Sequence, residues 1–299
     1  MLTALVLLAA LASAGDTAAG VVVGVAGHVT IESGGASPRS ATLGMALGAA
    51  DVVVLDKGGS ASIYIKGGGV VRLHDATRFE MPKAAAAPAQ AKLPSGSIAQ
   101  LESGLWVLND PAGSLLVSPM RGDAFDPSAT AVPLTPRYEV LTQPGAAFAW
   151  TGGPAKARVV VAKQREVIWK SDAVAPAATV ATSPSTKLLE GQVYTWWLEP
   201  EAGGAPLTAG IPFRVATADV IARTMAIHKE VEPLGDAAGY LLLAHYTGAG
   251  SWTNVLVLAN DMPPGEARTR AMVAARQGLR LDDKTAAVLL EKIGRRAKP

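Results

Sequence analysis

The chain has 299 residues, enough for two or three domains with real cores. Its 27 basic and 25 acidic residues nearly cancel, so no global field favours nucleic acid or an anionic membrane. Cysteine is absent, which excludes disulfides, thiolate catalysis, zinc–cysteine sites and a lipid-modified cysteine.

Residues 5–12 form an apolar run too short to span a membrane, and Ala12-Ser13-Ala14 is a small-x-small cleavage site. Residues 1–14 are expected to be a signal peptide with Gly15 as the mature start, although no Lys or Arg precedes the run. The expected location is therefore periplasmic or otherwise exported, in a bacterium, and no later stretch reaches the length of a membrane span.

Residues 20–81 alternate short apolar runs with glycine turns at Gly34–Gly35, Gly58–Gly59 and Gly67–Gly69. In 60–66, Ala61, Ile63 and Ile65 point one way, while Ser62, Tyr64 and Lys66 point the other. In 70–75, Val71 and Leu73 oppose Arg72 and His74. This period of two predicts strands with one face to solvent. Residues 83–92, rich in Ala and Pro, read as a flexible excursion. Residues 104–107 and 114–118 read as closing strands.

The first stretch resembles the FecR-like domain. The resemblance rests on Gly27-His28-Val29, on Gly44 with Leu47-Gly48-Ala49-Ala50-Asp51-Val52, on Gly59-Ser60-Ala61, and on Gly68-Gly69-Val70-Val71-Arg72-Leu73. Ala50 stands where the family usually has glycine, and Gly68 where Asp or Ser is common. The resemblance implies a small all-β envelope module over 20–125, with no catalytic residues and no fixed ligand. A FecR protein proper is a sigma-factor regulator with a cytosolic segment and a membrane span; neither is readable in this chain.

Residues 126–136 read as a proline-rich linker. A second β region is expected over 137–216, with Val159, Val161, Val167 and Trp169 inward, and Tyr194, Trp196 and Leu198 alternating against Thr195 and Trp197. Phe148-Ala149-Trp150, Leu189 with Gly191, the Tyr194–Trp196–Leu198 alternation and Phe213 with Val215 resemble a fibronectin type III-like or immunoglobulin-like domain. Trp197, on the opposite face from Trp196, is read either as sheltered by a long side chain or as a stacking platform.

From residue 217 the period becomes 3.6 and predicts a helical tail to 299, with Thr217 or Asp219, Ser251 and Asp282 as N-caps. Helices are expected from 218 and over 236–246, 251–260, 265–277 and 282–295, with Leu242, Leu243, Tyr246, Trp252, Val255 and Leu258 as the seam of a hairpin. Leu242, Ala244, Tyr246, the Gly248/Gly250 turn, Trp252, Ala259 and Pro264 resemble one degenerate tetratricopeptide-type repeat. A plain helical bundle reads equally well, because such repeats come in arrays. The fold class expected is thus multidomain and mainly β: a small β-sheet or β-roll module, a β-sandwich and a C-terminal α-helical bundle.

The four histidines, His28, His74, His228 and His245, show no metal-ligand spacing. His28 and His74 fall on one predicted face, where Asp51, Asp56 or Asp75 would have to complete a site. No Gly-x-Ser-x-Gly elbow exists, and the glycines at 20, 24 and 27 precede a strand rather than a helix, which fails the dinucleotide fingerprint. The sequence therefore predicts a non-enzymatic exported envelope protein without cofactor. It would bind a partner protein, peptidoglycan or polysaccharide, with Tyr64, Arg72 and Trp197 as candidate binding residues. The alternatives are a metal-assisted hydrolase using the His28/His74 region and a soluble regulatory partner docking through its helical tail.

Overall fold

The computed structural model describes residues 18–67, 69–81, 91–92, 95–109, 131–143, 145–176, 180–181 and 188–294. The expected signal peptide, the strand at 114–118 and the first half of the linker lie outside the described residues. The chain forms two compact units: Met1–Ser114 with Met225–Gly248, and Leu115–Thr224 with Ala249–Pro299. No helix among the described residues is long and apolar enough to cross a membrane.

In the first unit the strands run β1 (Ala18–Ala26), β2 (Val29–Glu32), β3 (Arg39–Ser40), β4 (Ala46–Gly48), β5 (Val52–Leu55), β6 (Ser60–Ile65), β7 (Gly69–His74), β8 (Arg78–Glu80) and β9 (Ala91–Lys92). They build a five-stranded sheet, β4-β1-β6-β7-β9, and a four-stranded sheet, β3-β2-β5-β8. Val22, Ala61, Ile63, Ile65, Val71 and Leu73 of the first meet Val29, Ile31, Val53 and Leu55 of the second in one apolar core. The glycine turns are tight: a Cβ at Gly27 would lie 2.9 Å from Gly58 O, and one at Gly59 would lie 2.8 Å from His28 O.

The opposite face of the larger sheet was expected to be wet, yet Tyr64 is 2% and Val70 0% exposed. The register places Val21, Tyr64 and Val70 side by side, so this face is apolar as well. It is covered by helix. Residues 104–107, expected as a strand, belong to α1 (Ser95–Asn109). Leu101, Leu105 and Leu108 recur at helical spacing and are all buried, which is why the segment coils. The chain returns to this unit through the last turns of α2 (Ala218–Val231), a short 3-10 turn (Glu232–Leu234) and α3 (Asp236–Ala249). Thr217 caps α2, its hydroxyl accepting from Val220 N–H at 3.5 Å.

The second unit contains β10 (Ala131–Thr135), β11 (Val140–Leu141), β12 (Ala147–Gly152), β13 (Ala157–Lys163), β14 (Glu166–Lys170), β15 (Val180–Ala181), β16 (Val193–Pro200) and β17 (Ile211–Val215). The sheet orders are β10-β12-β15 and β11-β17-β16-β13-β14. Phe148 and Trp150 of one share a core with Val159, Val161, Tyr194, Trp196, Leu198 and Phe213 of the other. Phe148 is the hub, with ring centroids 5.1 Å from Trp196 and 5.9 Å from Phe213 and Trp169.

Two expectations fail here. Residues 131–135 were read as linker but pair with β12, and Leu134 is fully buried; the prolines lie within and just after the strand without ending it. Val167 was placed inward but is 52% exposed. The register slips between Val161 and Ala162, so Trp169 stays opposite Val161 while Val167 falls opposite Ala162, on the outer face.

Helices α4 (Trp252–Asp261), α5 (Glu266–Leu279) and α6 (Asp283–Gly294) close the second unit. Trp252, expected in a seam with α3 residues, lies against α5: a Cβ at Gly278 would sit 2.3 Å from its indole. Only a residue without a side chain admits the ring there. Asp282 caps α6 by accepting from Thr285 N–H at 2.7 Å. The whole is a mixed α/β chain of several small sheets and a C-terminal helical bundle rather than mainly β, because α1 and the tail helices contribute core on their own account.

Candidate functional site

The three candidate binding residues are all engaged internally. Tyr64 O–H donates to Glu102 Oε1 at 2.9 Å, and Gly67 N–H donates to the same oxygen at 2.9 Å, fixing α1 on the sheet. Arg72 Nη2 donates to Pro233 O at 2.6 Å, and a Cβ at Gly24 would approach Ala237 N to 3.5 Å, so the 3-10 turn and the start of α3 rest on the same face. Tyr64 and Arg72 thus share one covered face. Trp197 belongs to the second unit, where its Nε1–H donates to Glu199 Oε1 at 3.1 Å. Lys170 pairs with the same carboxylate and holds Glu199 below the usual carboxylate range.

Tyr64→Phe tests the strut role. Loss of the Glu102 hydrogen bond is expected to lower stability by about 1 kcal/mol in urea unfolding. A ligand-contact role would instead weaken binding at unchanged stability.

The His28/His74 region holds an exposed contact, His28 Nδ1 to Asp56 Oδ2 at 2.6 Å. Asp51 accepts from Gly48 N–H at 2.9 Å and Asp75 from Gly58 N–H at 2.8 Å, so both serve turns. Among the described residues no three His, Cys, Asp or Glu side chains converge in a way that would hold a metal.

A cluster the sequence did not single out lies in the second unit, just after β10. Glu139 is 3% exposed. Its Oε1 accepts from Thr135 Oγ1–H at 3.1 Å, Thr253 Oγ1–H at 2.8 Å and Arg137 N–H at 3.3 Å; its Oε2 accepts from Thr253 N–H at 2.9 Å. Burial raises its pKa, against these four hydrogen bonds, which lower it. Ser251, the expected N-cap of α4, makes no side-chain cap bond, and the Glu139 carboxylate takes the first-turn N–H instead.

Beside it, Arg137 is 6% exposed; its Nε donates to Leu279 O at 2.8 Å and its Nη1 to Pro133 O at 3.4 Å. Its guanidinium carbon lies 5.3 Å from the Tyr138 ring centre, and that of Arg280 lies 3.9 Å from the same centre. Burial lowers the Arg137 pKa, and the neighbouring Arg280 charge lowers it further. The signal was present: Arg137 and Glu139 are the only charged residues between Asp126 and Lys156. Chemically, Glu139 is enclosed and saturated, which suits a joint rather than a proton donor, whereas the arginine pair offers positive charge. No family model, curated protein or solved structure matches the chain.

Proposed function

We propose that this chain is an exported envelope protein that works by holding a partner, with a FecR-like β module, a fibronectin type III-like β-sandwich and a helical tail. The observation that carries the reading is the outer face of the sheet ending in β14. Trp197 and Lys170 both lie opposite Val160, and Val167 lies opposite Ala162, so Trp197 and the exposed Val167 share that face. Val193, 47% exposed, alternates onto the same side as Trp197. β14 is also the sheet's edge among the described residues. Exposed apolar side chains on an edge strand are what partner recognition by a β domain uses. Tyr64 and Arg72 contribute by bracing the first module.

A photo-crosslinker placed at Val167 in cells is expected to capture one dominant envelope partner, and Val167→Glu in the parent chain to reduce co-purification of that partner about tenfold or more. Diffuse capture unaltered by Val167→Glu, together with no co-sedimentation of the purified protein with peptidoglycan, would overturn the reading.

A further inference from the structure

We propose that Arg137 and Arg280 form a binding site for a phosphate group. Arg137 is held in place by two backbone carbonyls, one of them the last of α5, which leaves Nη2 without an acceptor among the described residues. Arg137 keeps 6% of its surface exposed, and a ligand would meet its guanidinium there. Arg280 sits in the left-handed region (φ 53, ψ 47) at the C-terminus of α5, which aims its guanidinium over the Tyr138 ring. Neither guanidinium has a carboxylate within 4.0 Å among the described residues. The nearby acids are spent: Glu139 on Thr135, Thr253 and Arg137 N–H, Asp283 on Arg276, and Asp282 on Thr285.

Capping of α5 accounts for Arg137 but not for a second cation beside it. Two guanidiniums around one ring repel, and an anion between them removes that cost. The planar fork of arginine suits the tetrahedral, multiply charged phosphate better than a single carboxylate, because two forks can each bond a different pair of oxygens. This site is separate from the β14 face, and its failure leaves the partner-binding reading standing.

Inorganic phosphate is titrated into the full chain at constant ionic strength, and arginine Nε–H signals are followed by NMR. Saturable movement of the Arg137 signal is expected, with apparent affinity about tenfold weaker in Arg280→Gln. Should Arg280→Gln lose its fold by circular dichroism, Arg280→Lys keeps the charge without the fork and is expected to weaken binding by about threefold. Absence of saturation, or equal affinity in wild type and in the folded variant, overturns the site. Sodium acetate binding more tightly than phosphate overturns the ligand class.

Discussion

Gly104→Ala and Gly248→Ala are each expected to destabilise the first unit by about 2–4 kcal/mol, well beyond an ordinary surface substitution. A Cβ at Gly104 would lie 1.7 Å from Ala244 O, and one at Gly248 would lie 1.9 Å from Gln100 O. Both obstacles are backbone atoms, so no rotamer change relieves the clash and the helices must part. Alanine's better helix propensity returns only about 1 kcal/mol. Parting α1 from α3 also disturbs the amide of Gln100, 3.2 Å from both His245 Nε2 and His245 O, where His245 is fully buried. The control is Gly239→Ala, also in α3, whose added Cβ meets nothing within 4 Å; it is expected to be neutral or to stabilise by up to about 1 kcal/mol. Urea unfolding of the three variants separates the cases. A Gly104→Ala midpoint as high as that of Gly239→Ala would sink the argument.

The same glycines show where the sequence stops being readable. Wherever a side chain's fate was decided by neighbours along the strand, the pattern carried it. Ala61, Ile63 and Ile65, and later Tyr194, Trp196 and Leu198, alternate into cores as their period of two requires. Asp282 caps its helix because the first-turn N–H it accepts is only three residues on. α1 was hidden because Gly104-Leu105-Trp106-Val107 is locally strand-like, and a mid-helix glycine argues against a helix until the partner it admits is known.

The covered face of the larger sheet did leave a trace. Val21-Val22-Val23 is apolar on both sides of the strand, which one dry face does not need. The outward turn of Val167 left none, since a slip in register depends on both strands at once. The polar cluster was out of reach for a related reason. Glu139 meets Thr253, and Arg137 meets Leu279, across more than a hundred residues, and no periodicity encodes such a meeting.

Glu139 also gives the chain a specific pH dependence. Because burial raises its pKa, the folded state keeps a proton that the unfolded chain releases once pH passes the ordinary value of 4.5. The native state then binds more protons than the unfolded one, so stability falls as pH rises from 4.5 toward the raised folded value. Below 4.5 both states are protonated and the contribution is complete; above the folded value its loss is complete. A protonated Oε1 fits this role, since it can donate to the oxygen of Thr135 or Thr253 while Oε2 still accepts Thr253 N–H. Glu139→Gln keeps the donation to a threonine oxygen with an amide N–H2 at the Oε1 position but gives up the bond from Arg137 N–H, since an amide nitrogen does not accept. It is expected to fall slightly below the wild type in mild acid, to gain on it as the pH rises, and to lose this part of the pH dependence. Glu139→Ala has no such substitute: it strands Thr253 N–H in a buried site and leaves a cavity, at about 3 kcal/mol in mild acid, a gap that narrows as rising pH removes the wild type's own contribution. Urea midpoints of the three proteins across acid to alkaline pH decide the matter. Parallel profiles for wild type and Glu139→Gln would mean that the carboxyl titrates alike in the folded and unfolded chain, which would sink the shared proton and leave the first-turn N–H of α4 as what holds the helix to the sheet.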